Sequence, residues 1–199
     1  MISFPIISLI FANLIPLFGV IFYGWDLSSL MVLYWFENVI IGFINVFKMQ
    51  HVTVISDGNS NLRINGQPAE NYPKIFLVGF FAIHYGIFTL VHGGFVFALF
   101  GLPDVSFFNF MLALVALFIS HFISYHQNFI GKEEFKKTTV AKQMFSPYSR
   151  IVVLHVTVIL SGMFIQNTFS DSARVMPILI FVSLKTLIDL VAHINEHKK

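Results

Sequence analysis

Ile75-Phe-Leu-Val-Gly-Phe-Phe-Ala-Ile-His-Tyr-Gly-Ile-Phe-Thr-Leu-Val-His-Gly-Gly-Phe-Val-Phe-Ala-Leu-Phe100 is an apolar run without one Asp, Glu, Lys or Arg. It exceeds the ~20 residues that a helix needs to cross ~30 Å of hydrocarbon. Its apolar positions do not alternate, and neither do those of Met111 to Ile119, so a transmembrane barrel is excluded. Backbone groups in lipid must be satisfied within the segment, which leaves a helix. Five further stretches meet the same test. The predicted spans are 3–24, 28–50, 75–100, 107–130, 149–169 and 175–196. The expected fold is all-α: a polytopic membrane helical bundle of six transmembrane helices in one domain, 1–199.

Composition agrees. Of 199 residues, 56% are hydrophobic, 17% aromatic and 11% charged, with 25 Phe and a mean hydropathy of +0.78. A soluble domain carries about 25% charged residues, so this chain lacks the polar surface to face water. A net charge of +2 without a basic face excludes a nucleic-acid partner. The absence of Cys removes disulfides, iron–sulfur clusters and thiolate zinc sites. The first span has no preceding Lys or Arg, a long apolar stretch and no small-x-small site after it, so it is expected to be retained rather than cleaved.

Lys and Arg set the expected orientation. Lys48, Arg63, Lys74, Lys132, Lys136, Lys137, Lys142, Arg150, Lys198 and Lys199 fall on the side of loops 2–3 and 4–5 and the C-terminus, whereas the other side holds Arg174 alone. The positive-inside rule then predicts both termini cytoplasmic, in a multi-pass membrane protein. The cytoplasmic loop 51–73 carries β-branched residues around the turn dipeptides Asp57-Gly58 and Asn65-Gly66, which suggests a small hairpin. Loop 4–5, with Lys132-Glu133-Glu134 and Lys136-Lys137, reads as a solvated segment near anionic headgroups. No Gly/Pro-broken pair of helices marks a transporter-like midplane site.

Function must come from ionisable residues inside the spans, each costing at least a few kcal/mol at mid-membrane. They are Glu37, His84, His92, His121, His126, His155, Lys185, Asp189 and His193. Lys185, Asp189, His193 and Glu196 follow i, i+4, i+8, i+11, a single stripe on the last helix. Imidazoles with a carboxylate are the donor set of zinc. The expected ligands of a divalent metal ion, Zn first, are His84, His121, His155, Asp189 and His193. Glu37 is expected to act as general base, and Lys185 to stabilise an oxyanion or hold a phosphate. Three competing readings stand beside this. Haem ligated by paired His is one. A proton- or metal-coupled transporter is another. The third is structural: Lys185 pairs with Asp189, and single His residues bridge helices. No serine elbow, P-loop or dinucleotide fingerprint occurs. The expected partners are the lipid bilayer and a lipid or small amphiphilic substrate, and a homo-oligomer is compatible with this composition.

The blocks Tyr34-Trp35-Phe36-Glu37-Asn38, His84-Tyr85-Gly86-Ile87-Phe88, Pro147-Tyr148-Ser149-Arg150 and Lys185-Thr186-Leu187-Ile188-Asp189 resemble an uncharacterised prokaryotic integral-membrane family, a domain of unknown function. The resemblance spans most of the chain and implies membrane location without an activity. A looser chemical likeness is to membrane metallohydrolases of the alkaline ceramidase and adiponectin receptor type, which use several His, an Asp and a His-x-x-x-His pair near the cytoplasmic face. Here the last helix offers Asp189-x-x-x-His193, in six spans rather than seven.

Overall fold

The computed structural model describes residues 14, 16, 18–55 and 63–167, with backbone alone at 70, 153, 157 and 160–167. Span 175–196, with Lys185, Asp189 and His193, and most of span 3–24 lie outside the described residues. Helix α1 is Leu27–His51, α2 is Lys74–Phe100 and α3 is Phe107–Ser124, which continues as a π-helix over Tyr125–Ile130. Helix α4 is the short Val140–Phe145, and α5 is Tyr148–Asn167. The described chain is mostly helical, and three helices are long and apolar enough to cross a membrane: Leu27–His51, Lys74–Phe100 and Phe107–Ile130. Their ends fall within a residue of the predicted spans 28–50, 75–100 and 107–130.

Local chemistry sets these boundaries. Before α1, Gly24 takes φ +62°, and Trp25 N–H closes onto the Gly19 carbonyl at 3.0 Å. The Asp26 carboxylate then accepts from the Ser29 N–H (3.0 Å) and from its hydroxyl, satisfying two donors at the start of α1. At the other end, the Lys74 ammonium donates to the carbonyls of Gln50 and Val52. A cation on the last carbonyls complements the helix dipole and ties the end of α1 to the start of α2. Gly101, at φ +78°, ends α2. Between α1 and α2, strands β1 (Arg63–Ile64) and β2 (Gln67–Pro68) pair antiparallel around Asn65 and Gly66, both at positive φ. That is the backbone demanded by a two-residue hairpin turn. The Tyr72 hydroxyl donates to the Ile64 carbonyl at 2.8 Å and holds the ribbon to the chain entering α2.

Helices α1 and α2 approach closely because glycines remove side chains at their crossing points. A Cβ at Gly42 would lie 2.3 Å from the Tyr85 ring, and one at Gly93 would lie 2.7 Å from the Trp35 indole. The interior divides into two apolar clusters. One joins Leu30, Leu33, Val96, Phe110, Leu117, Leu154 and Val158. The other joins Met49, Leu77, Phe81, Tyr125, Phe129, Met144 and Ile151. On α1, α2 and α3 the boundary between the clusters is polar: Glu37 and Asn38 on α1, Thr89 and His92 on α2, Ser120 and His121 on α3.

Helix α5 does not begin at the level of Lys74, where α2 starts. The Tyr148 ring packs against Phe81, His84 and Tyr85, with centroids 6.4, 5.9 and 5.8 Å away. His84 lies about 15 Å along α2 from Lys74, at ~1.5 Å per residue. The level below Tyr148 is filled by α4, whose Val140, Ala141, Gln143 and Met144 are buried. The segment is thus a helix broken at Ser146-Pro147. Proline has no N–H to continue the α4 ladder.

Candidate functional site

The site is the polar layer between the two apolar clusters. Glu37 is 2% exposed, and its Oε1 lies 3.2 Å from His121 Nε2 across the α1–α3 contact. One residue on, the Asn38 side-chain amide donates to the Tyr34 carbonyl at 2.9 Å. The backbone carbonyl of Asn38 accepts from the Tyr85 hydroxyl at 3.1 Å. The Thr89 hydroxyl donates back to the Tyr85 carbonyl at 2.9 Å, and the Trp35 indole N–H donates to the Thr89 carbonyl at 2.7 Å. Arg150, Tyr148 and Glu37 all lie within electrostatic reach of the Tyr85 hydroxyl. Helices α1, α2, α3 and α5 therefore converge on one layer.

Along the α2–α5 contact stand two further couples. His84 Nδ1 meets the Tyr148 hydroxyl at 2.6 Å. His92 Nδ1 lies 2.7 Å from the Phe88 carbonyl, and its Nε2 lies 2.9 Å from His155 Nδ1. The carbonyl can only accept, so His92 carries its proton on Nδ1. Its Nε2 is then a lone pair that accepts from the His155 Nδ1–H. His84 also faces outward, into a cavity of about 410 Å³ along α2 that is otherwise lined by Phe76, Gly79, Phe80, Ile83 and Ile87.

The expected site residues are distributed as follows. Glu37 and His121 come together. His84 and His155 go to separate couples with Tyr148 and His92. Among the described residues, no three of His, Asp and Glu are grouped so as to hold a metal ion. Lys185, Asp189 and His193 lie outside the described residues. His126 faces out, with its ring 4.5 Å from Phe122 and 5.2 Å from Tyr125. Its helix has already changed from α to π at Tyr125, a form frequent at functional sites. A Cβ at Gly131, where that turn ends, would lie 2.7 Å from the Gln127 carbonyl oxygen. His155 is level with His92, because α5 starts beside His84 and Tyr85 rather than at the level of Lys74.

Sequence reasoning missed Tyr85, Thr89 and Tyr148, which complete the layer together with Trp35. Hydroxyls that bond to carbonyls leave no periodic signal. The Tyr34, Asn38, Asn45 stripe beside Glu37 was the available clue.

No curated protein and no solved structure matches the chain. The model of a family of unknown function, DUF6498, matches residues 1–199, across both apolar clusters and the polar layer between them, and the chain belongs to that family.

Proposed function

We propose that this chain is a six-span protein of a prokaryotic inner membrane, with both termini cytoplasmic, that performs metal-assisted hydrolysis of a lipid or small amphiphile. The observation that carries the reading is Glu37: a carboxylate 2% exposed, 3.2 Å from His121 Nε2, inside a bundle of apolar helices. Ionisable groups at such depth are expensive and mark functional sites. Spans 3–24 and 175–196 complete the six, and the Lys/Arg asymmetry supports the orientation.

In this reading Glu37 accepts a proton from water and His121 holds the carboxylate in place. His121, with Asp189 and His193 from the last span, forms the donor set for a zinc-type ion, whose chemistry is to make bound water nucleophilic near pH 7. Lys185, on the same stripe, stabilises the developing oxyanion. His84 and His155, engaged with Tyr148 and His92, serve the α2–α5 contact. The test is metal analysis of protein purified without chelator or metal-affinity resin. Stoichiometric zinc that is lost in Asp189→Asn and His121→Ala is the expected outcome, and wild-type protein without metal overturns the reading.

A second reading, proton-coupled transport, is favoured by the broken α4–α5 helix, since discontinuous helices build midplane sites in transporters. Proton flux into liposomes that is abolished in Glu37→Gln supports it, and flux insensitive to that change removes it. Haem is not favoured: at 2.9 Å the His92 and His155 imidazoles touch each other, whereas axial ligation places iron between them.

A further inference from the structure

We propose that the segment from Thr139 to Pro147 is a gate, which closes the polar layer from the Lys74 end of the bundle and opens by swinging α4 out as a unit. The proposal rests on the polar layer of the preceding reading but on no metal and no substrate.

Four observations carry it. First, α4 fills the level between the bundle surface and the polar layer. Val140 and Met144 pack with Met49, Val52, Leu77, Val78 and Phe81, and just above them Tyr148 meets Tyr85. Among the described residues, α4 stands between that end and Tyr85.

Second, specific polar ties hold α4 among the described residues. The Asn45 amide donates to the Gln143 carbonyl at 3.1 Å, and the Gln143 amide donates to Asn45 Oδ1 at 2.7 Å. At the surface, Val140 N–H and Ala141 N–H donate to the carbonyls of Val54 and Ile55, at 2.9 and 3.1 Å. Irregular backbone at such depth persists only where its freed groups find partners; at the break the Gln143 carbonyl accepts from the Ser146 N–H at 3.2 Å and from Asn45 as a second donor.

Third, both ends of the segment are joints. Pro147 interrupts the ladder into α5. On the other side lie the π-helix Tyr125–Ile130, Glu133 at φ +55° and the 3₁₀ turn Glu134–Lys136. Fourth, a helix of six residues has no stability of its own, so its place depends on its packing and on ties such as these, and short units of this kind open locally at less than the global unfolding free energy.

The chain has no Cys, which makes the test direct. Asn38→Cys places one thiol in the polar layer, and its reaction with a membrane-impermeant, water-soluble maleimide is timed in vesicles that expose the Lys74 end. Adding Gln143→Ala, which removes one of the two Asn45 ties, is expected to speed labelling about ten- to a hundredfold, the population change for loss of one buried hydrogen bond. Helicity and elution volume check that both proteins are folded.

A second variant needs no reporter. Asn45→Cys with Gln143→Cys should cross-link on oxidation. The disulfide should then slow hydrogen exchange of the Tyr148 and Ser149 amides at least tenfold relative to the reduced form. Equal labelling with and without Gln143→Ala in folded protein, or exchange at the α5 start indifferent to the cross-link, overturns the gate. Loss of the metal or of activity in the Glu37 and Asp189 variants would leave both readouts untouched, so the two readings fail separately.

Discussion

At the scale of the residue, the polar layer is held by contacts that tolerate little change. Gly42 admits the Tyr85 ring, which a Cβ would meet at 2.3 Å. Gly42→Ala must push Tyr85 off the Asn38 carbonyl, and overpacking of this kind costs about 1–3 kcal/mol. Gly79 lies on the open face of α2, where an added Cβ would meet nothing within 4 Å. Gly79→Ala should be neutral or gain about 0.5–1 kcal/mol of helix propensity. Thermal midpoints in one detergent compare the two, and equal losses would refute the close approach. The Glu37–His121 couple invites a second comparison. His121→Leu removes a partner from a buried carboxylate and should cost about 1–3 kcal/mol, whereas Glu37→Gln keeps an acceptor for the ring N–H and should cost less. Sequence reading picked out both residues because each is ionisable inside an apolar run. It had no means of pairing them, since α1 and α3 meet through tertiary packing.

At the scale of the element, the contrast between α2 and α5 is instructive. Helix α2 begins and ends within a residue of its predicted span, since one uninterrupted apolar run forms one helix. Helix α5 begins within a residue of its predicted start as well, but beside the middle of α2 rather than its start, because α4 occupies the level below it. The tie that holds α4 can be measured. Asn45→Leu removes the acceptor of the buried Gln143 side-chain amide, an orphan that costs about 1–3 kcal/mol, while the Gln143 carbonyl keeps the Ser146 N–H at 3.2 Å. Adding Gln143→Leu removes the orphaned side chain. The double variant should therefore regain most of the loss, and a double-mutant cycle on thermal midpoints reads the coupling. No recovery would mean that Gln143 does not depend on Asn45. From sequence, Asn45 was legible as part of a polar stripe beside Glu37. Its partner, 98 residues away in the chain, was not.

At the scale of the whole molecule, the described helices form a bundle with an apolar cluster at each end and a polar layer between. Six spans with both termini cytoplasmic predict a definite labelling pattern. In the Cys-free chain, single thiols at Asp104→Cys and Asp171→Cys should react with impermeant reagent from outside whole cells. Thiols at Asp57→Cys and Lys132→Cys should react only in inverted vesicles. Labelling of position 171 from the same side as position 132 would remove one crossing and with it the six-span arrangement.

Run length and composition were enough to place three helices long and apolar enough to cross a membrane, with their ends, because an apolar stretch in hydrocarbon has only one way to satisfy its backbone. They also picked out Glu37 and His121 as costly groups inside apolar runs. Pairing lay beyond their reach. That His121 meets Glu37, His84 meets Tyr148 and His92 meets His155 follows from which helix faces touch, and glycines and aromatic rings set those faces at the crossings. The break at Ser146-Pro147 belongs to the same class. The dipeptide is visible in the chain, but its depth depends on Asn45 and on the apolar pocket that receives Val140 and Met144, and those contacts exist only after the helices have packed.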